Sequence, residues 1–375
     1  MKHTTRLWRG KAALMAALLL TASGCTVQGI GEKWPAAYAE QRLLTGVYVF
    51  DGSKAKYRDA DASSIDQMFY AFALIRHEQV SVAHWKNFKK FQAFIRKHPH
   101  ITPILSVGGW GADGFSQAAA TPQSRAAFAA NVLDVMQQYG FLGVDIDWEY
   151  PGSSVGGIQS SPDDLENYTL LLQALRAGLD ALVAADGVPR RLCVALSGSP
   201  DMAAGIDCVA VGQTVDQVNL MTYDLQQPGM ASHHTALYAS DPRAISATVC
   251  VEAYLAAGIP ASKLMLGVAF YGHRWATEAD APLYQPAMPK GTLTYAAIAK
   301  LIRKTPDALH FDAAAQAPYY LHRQIFISFD DERSISQKRL YAQQQALMGL
   351  FAWEYGDLAD GTLVAAMAGA DQDLP

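Results

Sequence analysis

Cysteine and charge are both scarce in this chain: four of its 375 residues are cysteine, and Asp, Glu, Lys and Arg together make up 17%. So few cysteines exclude a small scaffold held together by disulfides, and no CxxC motif or mixed His/Cys cluster predicts a metal site. The formal net charge of −5 lacks the basic excess of a nucleic-acid-binding surface. With half of its residues hydrophobic, the chain has the composition of a globular protein with one large or two medium domains.

The first 25 residues have the pattern of a secretory signal. Four basic residues between positions 2 and 11 precede the short apolar run AALMAALLL, and the small residues TASGC follow. The apolar run is too short for a membrane span, so we expect export. ASGC resembles a bacterial lipoprotein signal, which predicts a signal peptide over residues 1–25, lipidation of Cys25 and a tether over residues 26–41. The alternative is ordinary signal cleavage nearby, with Cys25 lost or unmodified.

Export permits disulfides, and three further cysteines follow at Cys193, Cys208 and Cys250. An odd number leaves at least one of them free. Cys193 lies in the apolar run RLCVALSGS, where packing is expected rather than reactivity. A Cys193–Cys208 bridge stays open on the sequence alone.

Brief apolar runs alternate with amphipathic segments from Leu43 onward. Eight runs predict strands, at residues 43–50, 65–74, 101–109, 141–148, 191–199, 215–224, 263–272 and 349–356. The clearest helical pattern covers residues 162–187, where apolar side chains recur every three or four positions. Near-continuous apolar strands alternating with such helices indicate a parallel sheet, and eight of them indicate a (β/α)8 barrel, the α/β TIM-barrel fold.

Two segments depart from a regular barrel. Residues 51–64, after the first strand, are weakly helical at best. After the seventh strand, residues 273–331 are too long for a plain connection and have a pattern of their own, GTLTYAAIAKLIRKT followed by PYYLHRQIFISFDD. We therefore assign residues 42–272 and 332–375 to the barrel and 273–331 to a small α+β insertion, at the face where barrel active sites lie.

The stretch FLGVDIDWEYP, residues 141–151, places three carboxylates on alternate positions: Asp145, Asp147 and Glu149. Side chains two apart on a strand point the same way, so the acids form one column that ends at Glu149. A solvated edge strand would explain such a column, and a divalent-metal site is a second explanation. The third is acid catalysis, because neighbouring carboxylates raise one another's pKa and keep a proton available on the terminal Glu.

The same stretch carries a family resemblance. GVDIDWEYP resembles the fourth-strand signature of glycoside hydrolase family 18, the chitinase family, usually written DGxDxDxE. SVGG (106–109), MTYD (221–224), YAF (70–72) and FAWEYGD (351–357) resemble that family's motifs on the third, sixth, second and eighth strands. Segment 273–331 resembles the insertion of the family's deep-cleft members, so the resemblance covers nearly the whole chain after the signal.

The resemblance implies a substrate-assisted mechanism. Glu149 would protonate the glycosidic oxygen, and the substrate's own acetamido oxygen would attack the anomeric carbon to form an oxazolinium ion. Asp147 would hydrogen-bond the acetamido N–H, and Asp145 would exchange the shared proton beneath it. Glu149 would then act as the base for water, which gives retention of configuration. No cofactor and no metal is implied.

Family positions imply roles for further side chains. Tyr223 would hydrogen-bond the acetamido oxygen, and Asp224 would contact the sugar or Glu149. Trp353 would lie under the reacting sugar and Trp110 would stack a neighbouring one, with core packing as the alternative for both. The other implied supporting and substrate-binding positions are Tyr48, Ser106, Met221 and Tyr271.

Three positions depart from the family pattern. Leu142 stands where the signature has its first Asp. His273 precedes Arg274 where the family generally has Arg directly, and LQQPGM follows MTYD where members often supply a Trp. The last difference predicts a weakened aglycone subsite.

From the sequence we expect an exported chitinase that cleaves β-1,4 bonds between N-acetylglucosamine units of chitin and chito-oligosaccharides. The expected location is the outer membrane, through a lipid on Cys25, with periplasmic or secreted protein as the alternative. Two other functions stay open: an endo-β-N-acetylglucosaminidase acting on N-glycans or related glycans, and a non-catalytic chitin-binding lectin. Lectins of that type generally lack the acid that Glu149 supplies.

Overall fold

A computed structural model describes residues 42–278 and 283–370 of the chain. The predicted signal peptide, Cys25 and the tether over 26–41 lie outside the described residues, so these predictions stand as made on the sequence.

Sixteen strands lie within the described ranges. In chain order they are β1 Leu44–Phe50, β2 Gln67–Arg76, β3 Gln79–Ser81, β4 Thr102–Gly108, β5 Gly143–Asp147, β6 Arg191–Ser197, β7 Gln217–Met221, β8 Met230–Ala231, β9 Leu264–Ala269, β10 Tyr271–Ala276, β11 Gln285–Pro286, β12 Met288–Thr294, β13 Leu309–Asp312, β14 Ala317–His322, β15 Ile325–Phe329 and β16 Gly349–Trp353. All eight predicted strands are among them.

Ten α-helices lie within the same ranges. They are α1 Phe88–Lys97, α2 Phe115–Ala119, α3 Pro122–Tyr139, α4 Asp164–Asp186, α5 Pro200–Gly205, α6 Cys208–Thr214, α7 Ala247–Ala256, α8 Tyr295–Lys304, α9 Glu332–Gln344 and α10 Thr362–Ala368. The first crossover, after β1, contains only the 3-10 turn Asp59–Ser64, which agrees with its weak helical pattern.

Eight parallel strands form a closed barrel. Their order is β1-β16-β9-β7-β6-β5-β4-β2, and pairing of β1 with β2, from Gly46 with Gln67 to Phe50 with Ala71, completes the ring. Helices follow seven of the eight strands in the sequence. The (β/α)8 fold expected from the alternating pattern is therefore confirmed.

Helices α3 and α4 begin and end at residues that favour helix termini. The Thr121 side chain accepts from the backbone N–H of Ser124 at the start of α3, and Gly140 ends that helix at a φ of 77°. Gly187 ends α4 at a φ of 72°, a left-handed conformation that glycine adopts without strain. By length and composition α4 could cross a bilayer, but its buried face, including Leu172, packs on the barrel.

A five-stranded antiparallel sheet follows β9, in the order β12-β10-β15-β14-β13, with α8 between β12 and β13. The first of these strands in the sequence is β10, and a single residue separates it from the end of barrel strand β9. Residues 291–305 contain α8, and residues 318–331 contain most of the β14–β15 hairpin. This sheet adds a wall above the carboxyl ends of the barrel strands.

Two apolar layers enclose the barrel strands. An outer layer between strands and helices contains Val144 and Ile146 of β5. An inner layer, facing the barrel axis, contains Tyr48, Phe69, Cys193 and other side chains of alternate strand positions. Because the inner layer reaches the carboxyl ends of the strands, it forms the floor under the site described below.

The three cysteines in the part of the chain that the structure describes form no disulfide with one another. Cys193, Cys208 and Cys250 are all free and buried. Cys193 points into the inner layer and Cys208 begins α6, so the Cys193–Cys208 bridge left open by the sequence is absent. Cys193 is packed, as its apolar context predicted.

Candidate active site

A deep cleft opens at the carboxyl ends of the barrel strands. Its volume is about 1260 Å³, above the roughly 300–1,000 Å³ of pockets that enclose one small ligand. Residues of β12, Thr292–Thr294, line one side, and residues after β4, including Trp110, line another. The size and the two walls fit an elongated ligand with several units.

The carboxylates Asp145 and Asp147 of β5 and Glu149, two residues after the strand ends, lie in one inward-facing column. Asp145 is fully buried and Asp147 nearly so, and Glu149 and Asp147 line the cleft. A solvated edge strand is therefore wrong for β5, which pairs with β4 on one side and β6 on the other. Asp145 Oδ2 accepts from the Tyr48 hydroxyl at 2.9 Å and the Ser106 hydroxyl at 2.7 Å.

Burial and mutual repulsion keep protons on this column. Burial raises the pKa of Asp145 to about 6, against the hydrogen bonds from Ser106 and Tyr48, which lower it. Asp147 has a pKa well above the usual range because of burial and the charges of Glu149 and Asp145. Burial raises the pKa of Glu149 to about 7, with a hydrogen bond from Tyr150 lowering it and the Asp224 charge raising it. At neutral pH the column thus holds protons that free carboxylates would have lost.

Glu149 has the properties of a general acid at the end of this column. It is only partly buried, lines the cleft and retains a proton near neutral pH. Beneath it, Asp145 Oδ1 and Asp147 Oδ1 are buried with no hydrogen-bond donor among the described residues. A proton held between these two acids would satisfy both oxygens.

Strand β7 and the residues directly after it supply another part of the cleft floor. Met221 and Tyr223 are nearly buried, and both line the cleft together with Asp147 and Glu149. The pKa of the Tyr223 hydroxyl is well above its usual range, first because of burial and then because of the charges of Asp147 and Glu149. The hydroxyl therefore stays protonated and can donate a hydrogen bond into the cleft.

Asp224 and Tyr271 form the rim beside Tyr223. The Tyr271 hydroxyl donates to Asp224 Oδ1 at 2.6 Å, and both residues line the cleft. Burial would raise the Asp224 pKa, but hydrogen bonds from His234 and His273 hold it well below the usual range. Its backbone has a φ of 58°, a conformation that is uncommon for residues other than glycine and is concentrated at functional sites.

Aromatic rings cover the β1, β2 and β16 side of the cleft. Trp353 stacks on Phe72 with ring centroids 5.5 Å apart, and it contacts Tyr48 and Phe50 at 5.8 and 6.2 Å. Trp110, which follows β4, is 62% exposed, too exposed to be a core side chain. These flat apolar faces are suited to stack on the apolar faces of sugar rings.

A model of the family described as glycosyl hydrolases family 18 matches residues 45–357. The chain belongs to glycosyl hydrolase family 18. It is therefore a glycoside hydrolase, as its sequence motifs predicted.

Relatives of this hydrolase include named chitinases. It is 34% identical over 303 residues to chitinase A1 of Niallia circulans. The matched region covers 74% of this chain but only 43% of the relative. It is 30% identical over 335 residues to a class V chitinase of Arabidopsis thaliana, and the matched region covers 84% of this chain and 86% of that relative.

Solved structures of family members have the same fold. A family 18 N-acetylglucosaminidase from Paenibacillus barengoltzii matches with a TM-score of 0.80 at 32% identity, over 87% of this chain and 99% of that chain. A variant of the class V chitinase of Nicotiana tobaccum in complex with NAG4 matches with a TM-score of 0.80 at 26% identity, over 87% and 98%.

The hydrolase brings together all of the site residues that the sequence singled out in the barrel. Nine line the cleft: Tyr48, Trp110, Asp147, Glu149, Met221, Tyr223, Asp224, Tyr271 and Trp353. Asp145 and Ser106 lie beneath it, joined by their hydrogen bond. Cys25, the predicted lipidation site, is outside the described residues.

A chain of buried amides beneath the carboxylates was missed by sequence reasoning. The Asn219 amide donates to the Tyr48 hydroxyl at 2.9 Å, and Gln217 donates to Asn219 at 2.8 Å. Gln67 donates to Gln217 at 3.0 Å, which extends the chain across the barrel interior. The alternation of side chains along VDQVNLMTYD could have predicted these amides, because Gln217 and Asn219 lie on the same inward face of the strand as Met221.

The three departures from the family signature have different surroundings. Leu142 is 38% exposed, immediately before β5, at the end of the strand away from the cleft. The Arg274 guanidinium donates to the Lys290 carbonyl at 2.7 Å, and His273, not Arg274, lines the cleft. Alternation along β10 puts Tyr271 and His273 on one face, so the histidine takes the place beside Asp224.

Proposed function

We propose that this hydrolase cleaves β-1,4 bonds between N-acetylglucosamine units of chitin and chito-oligosaccharides, with retention of configuration and with the substrate's acetamido group as nucleophile. The observation that carries the proposal is the carboxylate column, which ends at Glu149 on the floor of a deep cleft, where burial raises the pKa of this acid to about 7.

The protonation of the column supports substrate assistance. A retaining glycosidase of the usual kind needs an ionised carboxylate as nucleophile beside its acid. Asp147, next to Glu149 on the column, has a pKa well above the usual range, first because it is buried and then because Glu149 and Asp145 repel its ionised form. A protonated Asp147 is a poor nucleophile, whereas the acetamido oxygen of the substrate needs no ionisation to attack.

The reaction begins when Glu149 transfers its proton to the glycosidic oxygen, the C1–O bond breaks and the acetamido oxygen bonds to C1. Asp147 accepts a hydrogen bond from the acetamido N–H as the shared proton moves to Asp145, and so balances the positive oxazolinium ion. The Tyr223 hydroxyl donates to the acetamido oxygen and orients it. Water then attacks C1 while the Glu149 carboxylate takes its proton, and the bond between C1 and the acetamido oxygen breaks, which restores the acetamido group. The shared proton returns from Asp145, and the site is back in its resting state.

The cleft supports a linear oligosaccharide as substrate. Its volume exceeds that of a single-ligand pocket, and aromatic rings line it at two separate places, Trp353 at the end of β16 and Trp110 after β4. Rings at separated positions suit successive sugars of one chain. The chitinases and the NAG4 complex among its relatives point to the same class of glycan.

The test compares the wild-type protein with Glu149→Gln on chitotetraose, with product anomers followed by NMR. We expect wild type to release β-anomer first, and Glu149→Gln to lose at least about a hundredfold in kcat, the order of a missing general acid. Glu252→Gln, at an exposed position of α7, is the matched control and should keep full activity.

Initial α-anomer would contradict retention, and full activity of Glu149→Gln would contradict the acid. A parallel incubation with an N-glycan separates the substrates: cleavage of its chitobiose core, with chitotetraose intact, would favour an endo-β-N-acetylglucosaminidase. Release of single N-acetylglucosamine units only would match the activity in the name of the Paenibacillus relative.

A further inference from the structure

Three side chains from separate segments meet at the rim of the cleft: Asp224 after β7, His234 after β8 and His273 on β10. Each offers one ligand atom, and these atoms lie within 4.8 Å of one another. Within residues 42–278 and 283–370, no other group of three His, Cys, Asp or Glu side chains does so.

We propose that Asp224, His234 and His273 bind a zinc ion at the rim of the cleft. Two imidazole nitrogens and one carboxylate oxygen are a common ligand set of zinc sites that keep a fourth position open. Calcium and magnesium prefer sets made only of oxygen ligands, so the two histidines disfavour them. The fourth position faces the cleft, because Asp224 and His273 line it.

The distances need only a small adjustment. His273 Nε2 lies 2.6 Å from Asp224 Oδ1, and His234 Nδ1 lies 3.7 Å from the same oxygen. In a tetrahedral zinc site with bonds of about 2.0–2.1 Å, ligand atoms are about 3.3 Å apart. Opening the first distance and closing the second by less than about 1 Å meets this requirement for two of the three pairs. The two imidazole nitrogens lie within 4.8 Å of each other and must approach by up to about 1.5 Å. His234 Nδ1 already faces Asp224, since it lies 3.4 Å from the Asp224 backbone nitrogen.

Both histidines have fixed backbones. The backbone N–H of His234 donates to the Ser328 hydroxyl at 3.0 Å, and His234 is fully buried. His273 pairs with Thr292 of β12 on one side and with Ser328 of β15 on the other. His273 is therefore held by strands on both sides and His234 by its hydrogen bond to β15.

The surroundings predict moderate affinity. The Tyr271 hydroxyl donates to Asp224 Oδ1 and orients the carboxylate, as partners of metal ligands do. His234 Nε2 has no hydrogen-bond partner in the described part of the chain. Loss of one such partner weakens metal sites by about 10–100-fold, so we expect reversible binding rather than a permanent structural ion.

Zinc at this position would compete with glycan. It would engage the Asp224 carboxylate and occupy part of the cleft beside Tyr271. The zinc site does not depend on the proposed function, whereas the competition does, because it assumes that chito-oligosaccharides enter the cleft.

The test measures zinc binding by calorimetry on metal-free protein without a polyhistidine tag, and then the visible absorption of the cobalt-substituted protein. The variants are H273N and H234N, and H322N on β14, outside the cleft lining, is the matched control. H234N alters a buried side chain and H273N a partly exposed one, so H273N tests the site if H234N does not fold.

We expect saturable binding of one zinc per chain and a d–d absorption band of four- or five-coordinate cobalt. H273N should weaken binding by at least about tenfold, and H322N should leave it unchanged. Absence of saturable binding, or wild-type affinity in H273N, would overturn the zinc site.

The competition is measured by titrating chitotetraose into Glu149→Gln with and without zinc, which separates binding from turnover. We expect zinc to weaken chitotetraose binding in Glu149→Gln but not when His273→Asn is added. Equal chitotetraose affinity with and without bound zinc would overturn the competition. No chitotetraose binding in either condition, with zinc binding intact, would count against the proposed substrate alone.

Discussion

At the scale of single residues, Glu149 owes its proton to its surroundings rather than to its own chemistry. A free Glu side chain titrates near pH 4.3. Burial raises the Glu149 pKa to about 7, and the charge of Asp224 adds to the rise while the Tyr150 hydrogen bond opposes it. An acid with a pKa near the working pH is both protonated and able to give its proton up.

This protonation predicts a basic limb in the pH profile of kcat/KM. Activity on chitotetraose should be full below the Glu149 pKa and should fall as the pH rises through about 7, because the acid form disappears. The measurement is kcat/KM between pH 5 and 9, over the range where the fold is intact by circular dichroism. An aryl glycoside with a good leaving group is the control, since it needs less protonation and should show a shallower limb. A flat profile for both substrates would contradict the assignment of Glu149 as acid.

At the scale of elements, side chains alternate along strand β5 between the active site on one face and the core on the other. Asp145 and Asp147 face the inner layer and the cleft, whereas Val144 and Ile146 pack against the helices. Trp148 continues the outward face and stacks on Phe115, with ring centroids 5.2 Å apart. The outward residues hold the strand in place, and the inward ones carry the chemistry.

Substitutions at neighbouring positions of β5 should therefore affect different properties: an outward-facing change should lower stability, and an inward-facing change should lower activity. Ile146→Ala leaves a cavity in the outer layer and should lower the free energy of unfolding by about 2–5 kcal/mol, with the pH profile unchanged. Asp145→Asn removes the acid that accepts from Tyr48 and Ser106, and should lower kcat and shift the profile with a smaller loss of stability. Urea unfolding and pH–rate profiles of both variants check this. A shifted profile in Ile146→Ala would refute the division.

At the scale of the whole molecule, a buried ion pair ties the antiparallel sheet to the barrel. Lys338 of α9 donates to Asp330 Oδ2 at 2.7 Å and to Thr235 at 2.6 Å, and both charged side chains are fully buried. Asp330 follows β15 and accepts from the backbone N–H of Ala269 at the end of β9 at 3.0 Å. One carboxylate thus joins the end of a barrel strand to the sheet that forms a cleft wall.

Removal of this lysine should be costly. Lys338→Met leaves the Asp330 charge buried without its counterion, and we expect a loss of about 3–5 kcal/mol in the free energy of unfolding. Lys300→Met, at an exposed position of α8, is the matched control and should change stability little. Addition of Asp330→Asn to Lys338→Met should recover part of the loss, because no charge then stays buried. Unchanged urea midpoints in Lys338→Met would contradict the role of the pair.

The sequence by itself determined the barrel, its eight strands and the direction of the acid column, because these depend on local periodicity and on alternation along single strands. Asp145, Asp147 and Glu149 are two residues apart, so their common face needs no knowledge of the fold. The order of the motifs along the chain then identified the family.

Only the tertiary structure decided which distant residues meet. Asn219 reaches Tyr48 across 171 positions, and Lys338 reaches Thr235 across 103, contacts that no periodicity predicts. His234 and His273 lie 39 residues apart and meet at Asp224. His273 reaches this place on β10, which follows barrel strand β9 after a single residue. The pKa values followed from the same closure, since burial in the barrel raises the proton affinity of acids that are unremarkable in the chain.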